Sequence, residues 1–530
     1  MLHGGLNCER ARQVRWCAYL MLVILLSLSS KAHAGTCEDL AKLQFPNTSI
    51  DKSEVVTHNS FLLVLNHQPV GELPVFCRVL ATLRPSADSN IGVEMWLPQS
   101  GWNGRLLGTG SGGFGGFIYY EELASGLRQG YAVVNTDMGL TTPPGKDQTI
   151  FANRPEPWVD WGYRATHVMT LLAKRLVNAY YGRDAEHSYF QGCSTGGGQA
   201  LAEAQRYPED YDGLVGGAPP NNRTGVHLSI LWNFIATHRS PEAYIPQAKA
   251  LMIEKAAVAA CGAQDGMKDG VIADPQKCHF DVATLQCREG DNDSCLTAEQ
   301  VKTAQLLYAG PHNPKTGKSL YGGVTPGSEE DWGASFGPSG ADAQPPFAPI
   351  FEWVLGAKWN WHTFDFDKQA TEFVRTLGPS VNSLDPSLDR LQKSGHKLLM
   401  YHGWEDPLVI PQGSIDYWDA VSDHVRKENQ RSHNSAEKLD SYYRLFMMPG
   451  VYHCGRGPGA DGFDPLSAMV DWVEHGHAPD QIIATKYGKQ GQPSFERPLC
   501  PYPQIAQYRG SGDANKAASF ACISPAARAQ

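Results

Sequence analysis

The amino-acid sequence predicts an α/β fold in which a mostly parallel, doubly wound sheet carries a large inserted domain. In the first half of the chain, strand-like runs alternate with stretches of helical period, as a parallel sheet requires. The sequence then becomes irregular and rich in Gly, Pro, Trp and Phe, until strand patterns resume at 397–403 and 443–448. We therefore predict a sheet domain built from 35–219 and 391–530, interrupted by a lid domain at 220–390.

The composition is that of a folded globular protein. The chain has 530 residues, of which 42% are hydrophobic and 19% are charged, the usual balance for a domain with a large core. Its formal net charge of −10 argues against the basic surface that nucleic-acid binding needs. We therefore expect no nucleic-acid partner.

The first 34 residues have the pattern of an export signal. Three arginines precede an apolar run from Trp16 to Leu28, and Ala32-His33-Ala34 then matches a cleavage site. An uncleaved anchor is the alternative, but the run is shorter than the roughly 20 apolar residues that span a bilayer. We predict a signal peptide at 1–34, an exported chain that is periplasmic or secreted, and no membrane span after processing.

Ten cysteines follow the predicted signal peptide, an even number that suits disulfide formation in an oxidising compartment. Zinc binding is the alternative use of cysteine, but the chain has no C-x2-C pair. Proximity along the sequence leaves Cys193 and Cys454 as the unmatched cysteines. The other predicted disulfides are Cys37–Cys77, Cys261–Cys278, Cys287–Cys295 and Cys500–Cys522.

The predicted sheet begins with short strands between Cys37 and about residue 90. Strand patterns at 91–97 and 131–135 follow, and a helical stripe of apolar residues crosses 161–181. This alternation leads to a further strand-like run at 187–191. The next residues carry the chemistry.

Gly192-Cys193-Ser194-Thr195-Gly196 lies between that run and a stretch that favours a helix, the order of a nucleophile elbow. The pattern alone is weak in a chain with 54 glycines. Two later strands run into Glu405-Asp406 and His453, which gives the Ser…Asp…His order of α/β-hydrolases. We predict Ser194 as nucleophile, His453 as base and Asp406 as the acid that orients it, with Glu405 as a competing acid.

The two unmatched cysteines flank these predicted catalytic residues. Cys193 immediately precedes Ser194, and Cys454 immediately follows His453. If the serine and the histidine meet, the two cysteine backbones come within the distance that a disulfide needs. We therefore predict a Cys193–Cys454 bond that ties the nucleophile to the base.

A glycine-rich loop at 108–116 follows a predicted strand that begins at Arg105. Glycines this dense let backbone N–H groups approach a ligand closely, and the spacing of a phosphate-binding loop is absent. A flexible surface loop is the alternative. In the α/β-hydrolase fold, a glycine-rich loop after the third strand supplies half of the oxyanion hole, which is the function we predict.

Together these residues resemble a known family. Cys193-Ser194, Asp406 and His453-Cys454 are similar to the Cys-Ser…Asp…His-Cys pattern of the tannase and feruloyl esterase family. The longer matching blocks are GCSTGGGQALAEAQRYPEDYDGLVGGAP, YHGWEDPLV, PGVYHCGRGPG and RPLCPYPQIAQYRGSGD. The resemblance covers nearly all of the mature chain and implies a serine esterase of the α/β-hydrolase fold with a lid domain. It also implies the cysteine pairing given above and oxyanion donors at the amides of Thr195 and Gly112.

The resemblance further implies a structural calcium ion in the lid domain. By position, its ligands would be the carboxylates of Asp265 and Asp269 and the carbonyls of Met267 and Val271, oxygen donors that suit a hard cation. By itself, the D-G-x-x-D-G pattern indicates a turn. Family members often have an aspartate after the first lid cysteine, where this chain has Gly262. The predicted site therefore has one charge fewer, and no organic cofactor is expected.

The predicted function is that of a serine carboxylesterase acting on a small phenolic ester, which can be attached to plant polysaccharide or tannin. The resemblance implies feruloyl esters first, with galloyl esters as the alternative. His402, four residues before Asp406, is expected to bind substrate or to support the triad. Three other functions fit the same residues less well: a non-catalytic polyphenol- or carbohydrate-binding protein, a peptidase and an acyltransferase.

Overall fold

The structure, a computed structural model, describes residues 35–57, 71–340, 342–432 and 438–524. The predicted signal peptide lies outside the described residues. Within them, no helix combines the length and the apolar character that a membrane crossing requires.

Nine strands of the described chain form one mixed sheet. They are β1 (Thr48–Val56), β2 (Phe76–Leu83), β3 (Ile91–Pro98), β4 (Arg105–Thr109), β5 (Ala132–Thr136), β6 (His187–Cys193), β7 (Gly213–Gly217), β8 (Lys397–Gly403) and β9 (Tyr443–Met448). Their order across the sheet is β1-β2-β3-β5-β4-β6-β7-β8-β9. The pairs as far as β3/β5 are antiparallel, and every pair from β5/β4 onward is parallel. The predicted, mostly parallel sheet is confirmed.

Helices cover both faces of this sheet and fill the insertion between β7 and β8. The α-helices of the described residues are α1 (Tyr120–Arg128), α2 (Pro155–Val159), α3 (Ala165–Tyr181), α4 (Thr195–Arg206), α5 (Arg223–His238), α6 (Gln247–Cys261), α7 (Ala298–Ala309), α8 (Trp332–Phe336), α9 (Pro349–Leu355), α10 (Lys368–Val381), α11 (Asp389–Lys393), α12 (Gln412–Ser432) and α13 (Pro465–His475).

Consecutive residues of the central strands enter two different cores. Leu106 and Phe190 pack with residues of α3 and α4, whereas their neighbours Leu107 and Tyr189 pack with residues of α1 and α13. Because side chains alternate along a strand, a sheet covered on both faces needs strands that are apolar throughout. The doubly wound architecture follows from this pattern.

The insertion between β7 and β8 carries α5 to α11 and contains the range predicted for the lid domain. Buried residues of this segment form a hydrophobic cluster that includes Ile253, Leu296 and Leu307. The cluster also takes in Val409 and Ile410, which lie just after β8. The insertion is therefore packed onto the loop that follows β8.

The two ends of the lid domain are hydrogen-bonded to each other. The Ser383 N–H donates to the Asn221 carbonyl at 2.8 Å. Asn382 Oδ1 accepts from the Thr224 N–H at 3.1 Å, and Asn382 Nδ2 donates to Thr224 Oγ1 at 2.9 Å. We call these residues, 221–224 and 382–383, the lid junction.

Two hairpins and five disulfides complete the described fold. The hairpins pair β10 (Ile482–Tyr487) with β11 (Pro493–Leu499) and β12 (Ile505–Tyr508) with β13 (Phe520–Ile523). The disulfides are Cys37–Cys77, Cys193–Cys454, Cys261–Cys278, Cys287–Cys295 and Cys500–Cys522. Every disulfide predicted from the sequence is confirmed.

Candidate active site

Ser194 occupies the turn between β6 and α4, at φ 60° and ψ −123°. A residue other than glycine seldom adopts a positive φ, and it does so only where the surrounding structure enforces it. A Cβ added at Gly110 would lie 2.5 Å from the Cα of Gly196, and one added at Gly192 would lie 2.7 Å from the same atom. The sharp turn therefore depends on the glycines packed around the serine.

Loops after three parallel strands bring the predicted catalytic residues together. Ser194 follows β6, Asp406 follows β8 and His453 follows β9. His453 Nε2 lies 2.9 Å from Ser194 Oγ, and its Nδ1 lies 2.6 Å from Asp406 Oδ2. Nucleophile, base and acid thus form one hydrogen-bonded line, the arrangement that activates a serine.

Asp406 is fully buried, and the protein stabilises its charge. Its Oδ1 accepts hydrogen bonds from the N–H groups of Leu408 and Val409, each at 2.9 Å. Burial by itself opposes ionisation, but the charge of His453 and the hydrogen bonds of His402 and His453 outweigh it. They hold the pKa of Asp406 well below its ordinary value. The acid is therefore ionised at every pH at which the histidine acts as a base.

The environment of His453 favours its protonated form. Burial lowers the pKa of His453. The charge of Asp406 and its hydrogen bond raise the pKa by more than burial lowers it, so the pKa lies above its ordinary value. Asp331 of the lid domain also raises it, and Arg456 lowers it. Arg456 Nη1 pairs with Asp331 Oδ1 at 2.8 Å. A charge pair between the insertion (Asp331) and the histidine loop (Arg456) therefore lies beside the base.

Glu405, the competing acid, is bonded to the backbone of the histidine loop instead. Its Oε2 accepts from the Gly450 N–H at 2.6 Å, and its Oε1 has no partner within the described residues. Burial, and then the charges of Glu254 and Glu329, raise the pKa of Glu405 well above its ordinary value. A neutral carboxylic acid does not compensate an imidazolium, so the geometry and the charge both favour Asp406.

His402 lies behind the acid rather than at a substrate surface. Its ring is fully buried, with Nδ1 2.8 Å from Ser414 Oγ and Nε2 2.7 Å from the Val409 carbonyl. Nε2 also lies 3.3 Å from Asp406 Oδ2. Because both ring nitrogens are occupied inside the protein, the expected substrate contact of His402 is wrong, and its support of the triad is the role that the geometry allows.

The glycine-rich loop lies directly against the elbow. The Gly196 N–H donates to the Ser111 carbonyl at 2.7 Å, and Thr195 Oγ1 donates to the Gly113 carbonyl at 2.6 Å. Within the described residues, the structure gives no acceptor to the N–H of Gly112 or of Thr195. Two free donors on touching segments are what an oxyanion hole requires.

Comparison with known proteins decides the family. A family model described as "Tannase and feruloyl esterase" matches residues 77–523. The chain belongs to the tannase and feruloyl esterase family. It is 36% identical over 534 residues to an uncharacterized esterase of Xanthomonas campestris pv. campestris, covering 94% of this chain and 92% of the relative. It is 33% identical over 481 residues to a probable feruloyl esterase of Arthroderma benhamiae, covering 84% and 85%.

Solved structures agree with this family assignment. The crystal structure of feruloyl esterase B from Aspergillus oryzae aligns with a TM-score of 0.82 at 28% identity, covering 92% of this chain and 99% of the other. The chain is therefore an α/β-hydrolase, and a carboxylic ester hydrolase by its family.

Removing the Cys193–Cys454 disulfide from this esterase is expected to cost stability and activity together. The bond joins the residue before the nucleophile to the residue after the base and closes a separation of 261 residues. We expect the Cys193→Ser/Cys454→Ser variant to lose about 2–5 kcal/mol of unfolding free energy. Its kcat should also fall, because the Ser194–His453 distance is no longer fixed. Urea unfolding and ester turnover measure the two effects.

The matched control is Cys287→Ser/Cys295→Ser, which opens a separation of only 8 residues far along the chain from the triad. Loop-closure entropy alone makes the long crosslink worth about 3 kcal/mol more than the short one. Equal loss of kcat in both variants would contradict a specific role for Cys193–Cys454.

A buried cation beside the esterase triad had no sign in the sequence. Arg223, the first residue of α5, donates from Nη1 to Thr195 Oγ1 at 3.2 Å. Burial lowers the pKa of its guanidinium to about 9, so the group stays charged near neutral pH. An arginine in the polar run Asn-Asn-Arg-Thr would be expected at the surface, but here it packs against Trp161 and the start of α4.

Rings from both domains meet at the glycine-rich loop. Phe347 of the lid domain comes within 3.8 Å of the position that a Cβ on Gly113 would take. Its ring centroid lies 5.4 Å from the rings of Phe114 and of His227. Burial, and then the charge of Arg223, lower the pKa of His227 to about 3, so His227 is neutral. This cluster offers an apolar surface next to the predicted oxyanion donors.

In the predicted calcium loop, two carboxylates accept hydrogen bonds from backbone N–H groups of the same loop. Asp265 Oδ1 accepts from the Met267 N–H at 3.0 Å, and Asp269 Oδ1 accepts from the Val271 N–H at 3.3 Å. The carbonyls of Met267 and Val271 accept no hydrogen bond from the part of the chain that the structure describes. Four oxygen donors of this kind fit a hard cation.

Two features make this donor set weaker than the family pattern. A Cβ added at Gly262 would lie 3.2 Å from the Val271 carbonyl, so position 262 faces the loop but supplies no carboxylate. Arg497 Nη2 lies 2.8 Å from Asp269 Oδ2 and already compensates one negative charge. The residues therefore fit calcium, but with one carboxylate ligand and one negative charge fewer than the family pattern provides.

Proposed function

We propose that this esterase hydrolyses feruloyl (hydroxycinnamoyl) esters through an acyl-enzyme on Ser194. The observation that carries the chemistry is the hydrogen-bonded line from Ser194 through His453 to Asp406. The names of the relatives, probable feruloyl esterase and feruloyl esterase B, support the acyl group. The family description also includes tannase, so galloyl esters are the alternative substrate.

In the acylation step, Ser194 Oγ attacks the ester carbonyl carbon while His453 Nε2 takes the serine proton. The carbonyl electron pair moves onto oxygen, where the amides of Thr195 and Gly112 stabilise it. One such donor contributes about 3–4 kcal/mol. The imidazolium, compensated by ionised Asp406, then protonates the leaving alcohol as the C–O bond breaks.

Deacylation repeats these steps with water. His453 takes a proton from water as the water oxygen adds to the acyl carbon, and the same two amides hold the new oxyanion. The bond to Ser194 Oγ then breaks, and the serine recovers its proton from His453. The products are the free phenolic acid and regenerated Ser194.

The test of the substrate is turnover of methyl ferulate and methyl gallate by the wild-type mature chain. Hydrolysis of ferulate alone is the expected result, and hydrolysis of gallate alone would make the protein a tannase. Turnover of neither ester would overturn the substrate assignment. Labelling of Ser194 by a fluorophosphonate then separates an esterase for another ester from a non-catalytic binding protein.

Two further controls address the other functions of this fold. An acyltransferase should pass the feruloyl group to an added alcohol in preference to water. A peptidase should cleave the amide of ferulic acid at a rate comparable to that of the methyl ester. Exclusive release of free acid from the ester supports the proposed esterase.

We also propose that the chain is exported, with residues 1–34 removed, and that its phenolic ester is attached to plant polysaccharide or tannin. The five disulfides support an oxidising compartment. The mature chain recovered from the periplasm or the medium should begin at Gly35. Retention of the full-length chain in the cytoplasmic fraction would contradict export.

We propose that the 265–271 loop binds a structural calcium ion through the carboxylates of Asp265 and Asp269 and the carbonyls of Met267 and Val271. The ion would balance two half-buried charges and tie the loop together. In calcium at about 100 times its dissociation constant, we expect the chain to gain about 2.7 kcal/mol relative to chelator. The midpoint of urea unfolding, followed by fluorescence with calcium and with EDTA, measures this gain.

Asp265→Asn/Asp269→Asn should abolish the difference between calcium and EDTA. Asp274→Asn is the matched control, because Asp274 lies in the same segment but pairs with Lys277 at 2.8 Å. This control should keep the calcium response of the wild type. The same midpoint for the wild type in calcium and in EDTA would contradict the proposed site.

A further inference from the structure

Arg223 is a buried charge without a carboxylate partner. The residue is 6% exposed, and none of the ion pairs among the described residues involves it. Its guanidinium instead lies over the ring of Trp161, with Cζ 4.3 Å from the centroid. Burying a cation without a partner costs folding free energy. An anion that forms nearby during the reaction would compensate the charge of Arg223.

A chain of hydrogen bonds leads from this cation to both halves of the predicted oxyanion hole. Arg223 Nη1 donates to Thr195 Oγ1 at 3.2 Å, and Thr195 Oγ1 donates to the Gly113 carbonyl at 2.6 Å. Thr195 carries one oxyanion amide, and Gly113 follows the residue that carries the other. The arginine therefore joins the elbow to the glycine-rich loop through a single hydroxyl.

The fold holds the guanidinium in this place from two sides. A Cβ added at Gly198 would lie 3.0 Å from Arg223 Nη2, so the helix after the nucleophile leaves room for the cation. On the other side, the neighbouring Thr224 is bonded to Asn382 at the lid junction. The lid domain thus delivers a fixed positive charge to the back of the oxyanion hole.

We propose that Arg223 is a positioning residue for ester hydrolysis, which orients Thr195 and the glycine-rich loop and favours the oxyanion with its charge. This inference rests on the proposed serine mechanism. Because the anion exists only in the tetrahedral state, the arginine should act on kcat and not on binding of the neutral ester.

Arg223→Met keeps the length and the packing of the side chain but removes the charge and the donor. We expect kcat for methyl ferulate to fall about 30-fold, less than the loss from deleting an oxyanion donor outright, with KM changed by less than about twofold. Inhibition by trans-styrylboronic acid, which forms a tetrahedral adduct with Ser194, should weaken by a similar factor. Arg223→Lys, which keeps the charge, should recover part of kcat.

Ground-state binding and a second stacked arginine provide the controls. In the Ser194→Ala background, Arg223→Met should change the dissociation constant of methyl ferulate by less than about twofold. Arg183 lies over Trp102, with Cζ 4.5 Å from the ring centroid, and pairs with Glu186, away from the oxyanion segments and the lid junction. Arg183→Met should therefore leave kcat within about twofold of the wild type.

If Arg223→Met fails to fold, Thr195→Val breaks the same chain of hydrogen bonds at its middle, and the same kcat-specific loss is expected. Unchanged kcat in whichever of these variants folds would overturn the proposal. So would a loss of ground-state binding as large as the loss of kcat. Wild type that hydrolyses no ester contradicts the proposed function itself, whereas active wild type with fully active variants contradicts only the role of Arg223.

Discussion

Replacing Ser194 with alanine is expected to lower kcat for methyl ferulate by at least about 10⁴-fold. The alanine lacks the oxygen that forms the acyl-enzyme, and only the oxyanion donors and substrate binding remain to accelerate the reaction. The variant should keep the wild-type affinity for the ester. Initial rates and equilibrium binding, measured on the same preparation, check both statements.

The Ser194→Ala variant must also be shown to keep its fold. Alanine is smaller than serine and tolerates the elbow less well than glycine would, so the unfolding midpoint must be measured alongside the rate. A folded variant with full activity would show that the reaction occurs elsewhere in the molecule.

Asp406→Asn is expected to lower kcat by about 10⁴-fold and to move the pH profile. The amide cannot stabilise the imidazolium and favours the wrong tautomer of His453. In the wild type, the charge of Asp406 raises the pKa of His453, and the base must be neutral to act. Removing that charge lowers the pKa, so the residual activity should rise at a lower pH than in the wild type. The pH dependence of kcat/KM measures the shift.

Glu405→Gln is the matched control for Asp406→Asn. Glu405 is adjacent in sequence and similarly buried, but burial raises its pKa and favours the protonated form, which has nearly the same shape as an amide. The glutamine variant should retain kcat within a few-fold and keep the acid limb of its profile in place. A large loss in Glu405→Gln with little loss in Asp406→Asn would exchange the roles of the two acids.

The chemical requirements of a catalytic triad allowed much of this site to be predicted from the sequence. A serine nucleophile needs a sharp turn with small neighbours, and its partners must follow parallel strands of the same sheet. The G-x-S-x-G pattern and the later strands therefore predicted Ser194 and His453, and narrowed the acid to Asp406 or Glu405. Cys193 and Cys454 followed from their adjacency to the triad. Disulfides between near neighbours, such as Cys287 and Cys295, needed only proximity.

What the sequence did not indicate depends on packing between distant segments. Arg223 is buried against Trp161 and the start of α4, segments that lie far from it in the sequence. Glu405 and Asp406 look alike in sequence, and their protonation differs because different backbone and histidine groups surround them. The spacing of His402 from Asp406 predicts a substrate contact, but its ring points into the core, where Ser414 and the Val409 carbonyl occupy both nitrogens.

The lid junction has a consequence for how such enzymes diversify. Since residues 221–224 and 382–383 are clasped together, the span between them is a loop that is already closed. The entropy of closing a loop grows only slowly with its length, by about 0.6 kcal/mol for each doubling. Lids of different size can therefore be grafted between the same two points with little strain on the sheet. An exchange at this junction that begins after residue 224 would replace the insertion and leave Arg223 in place.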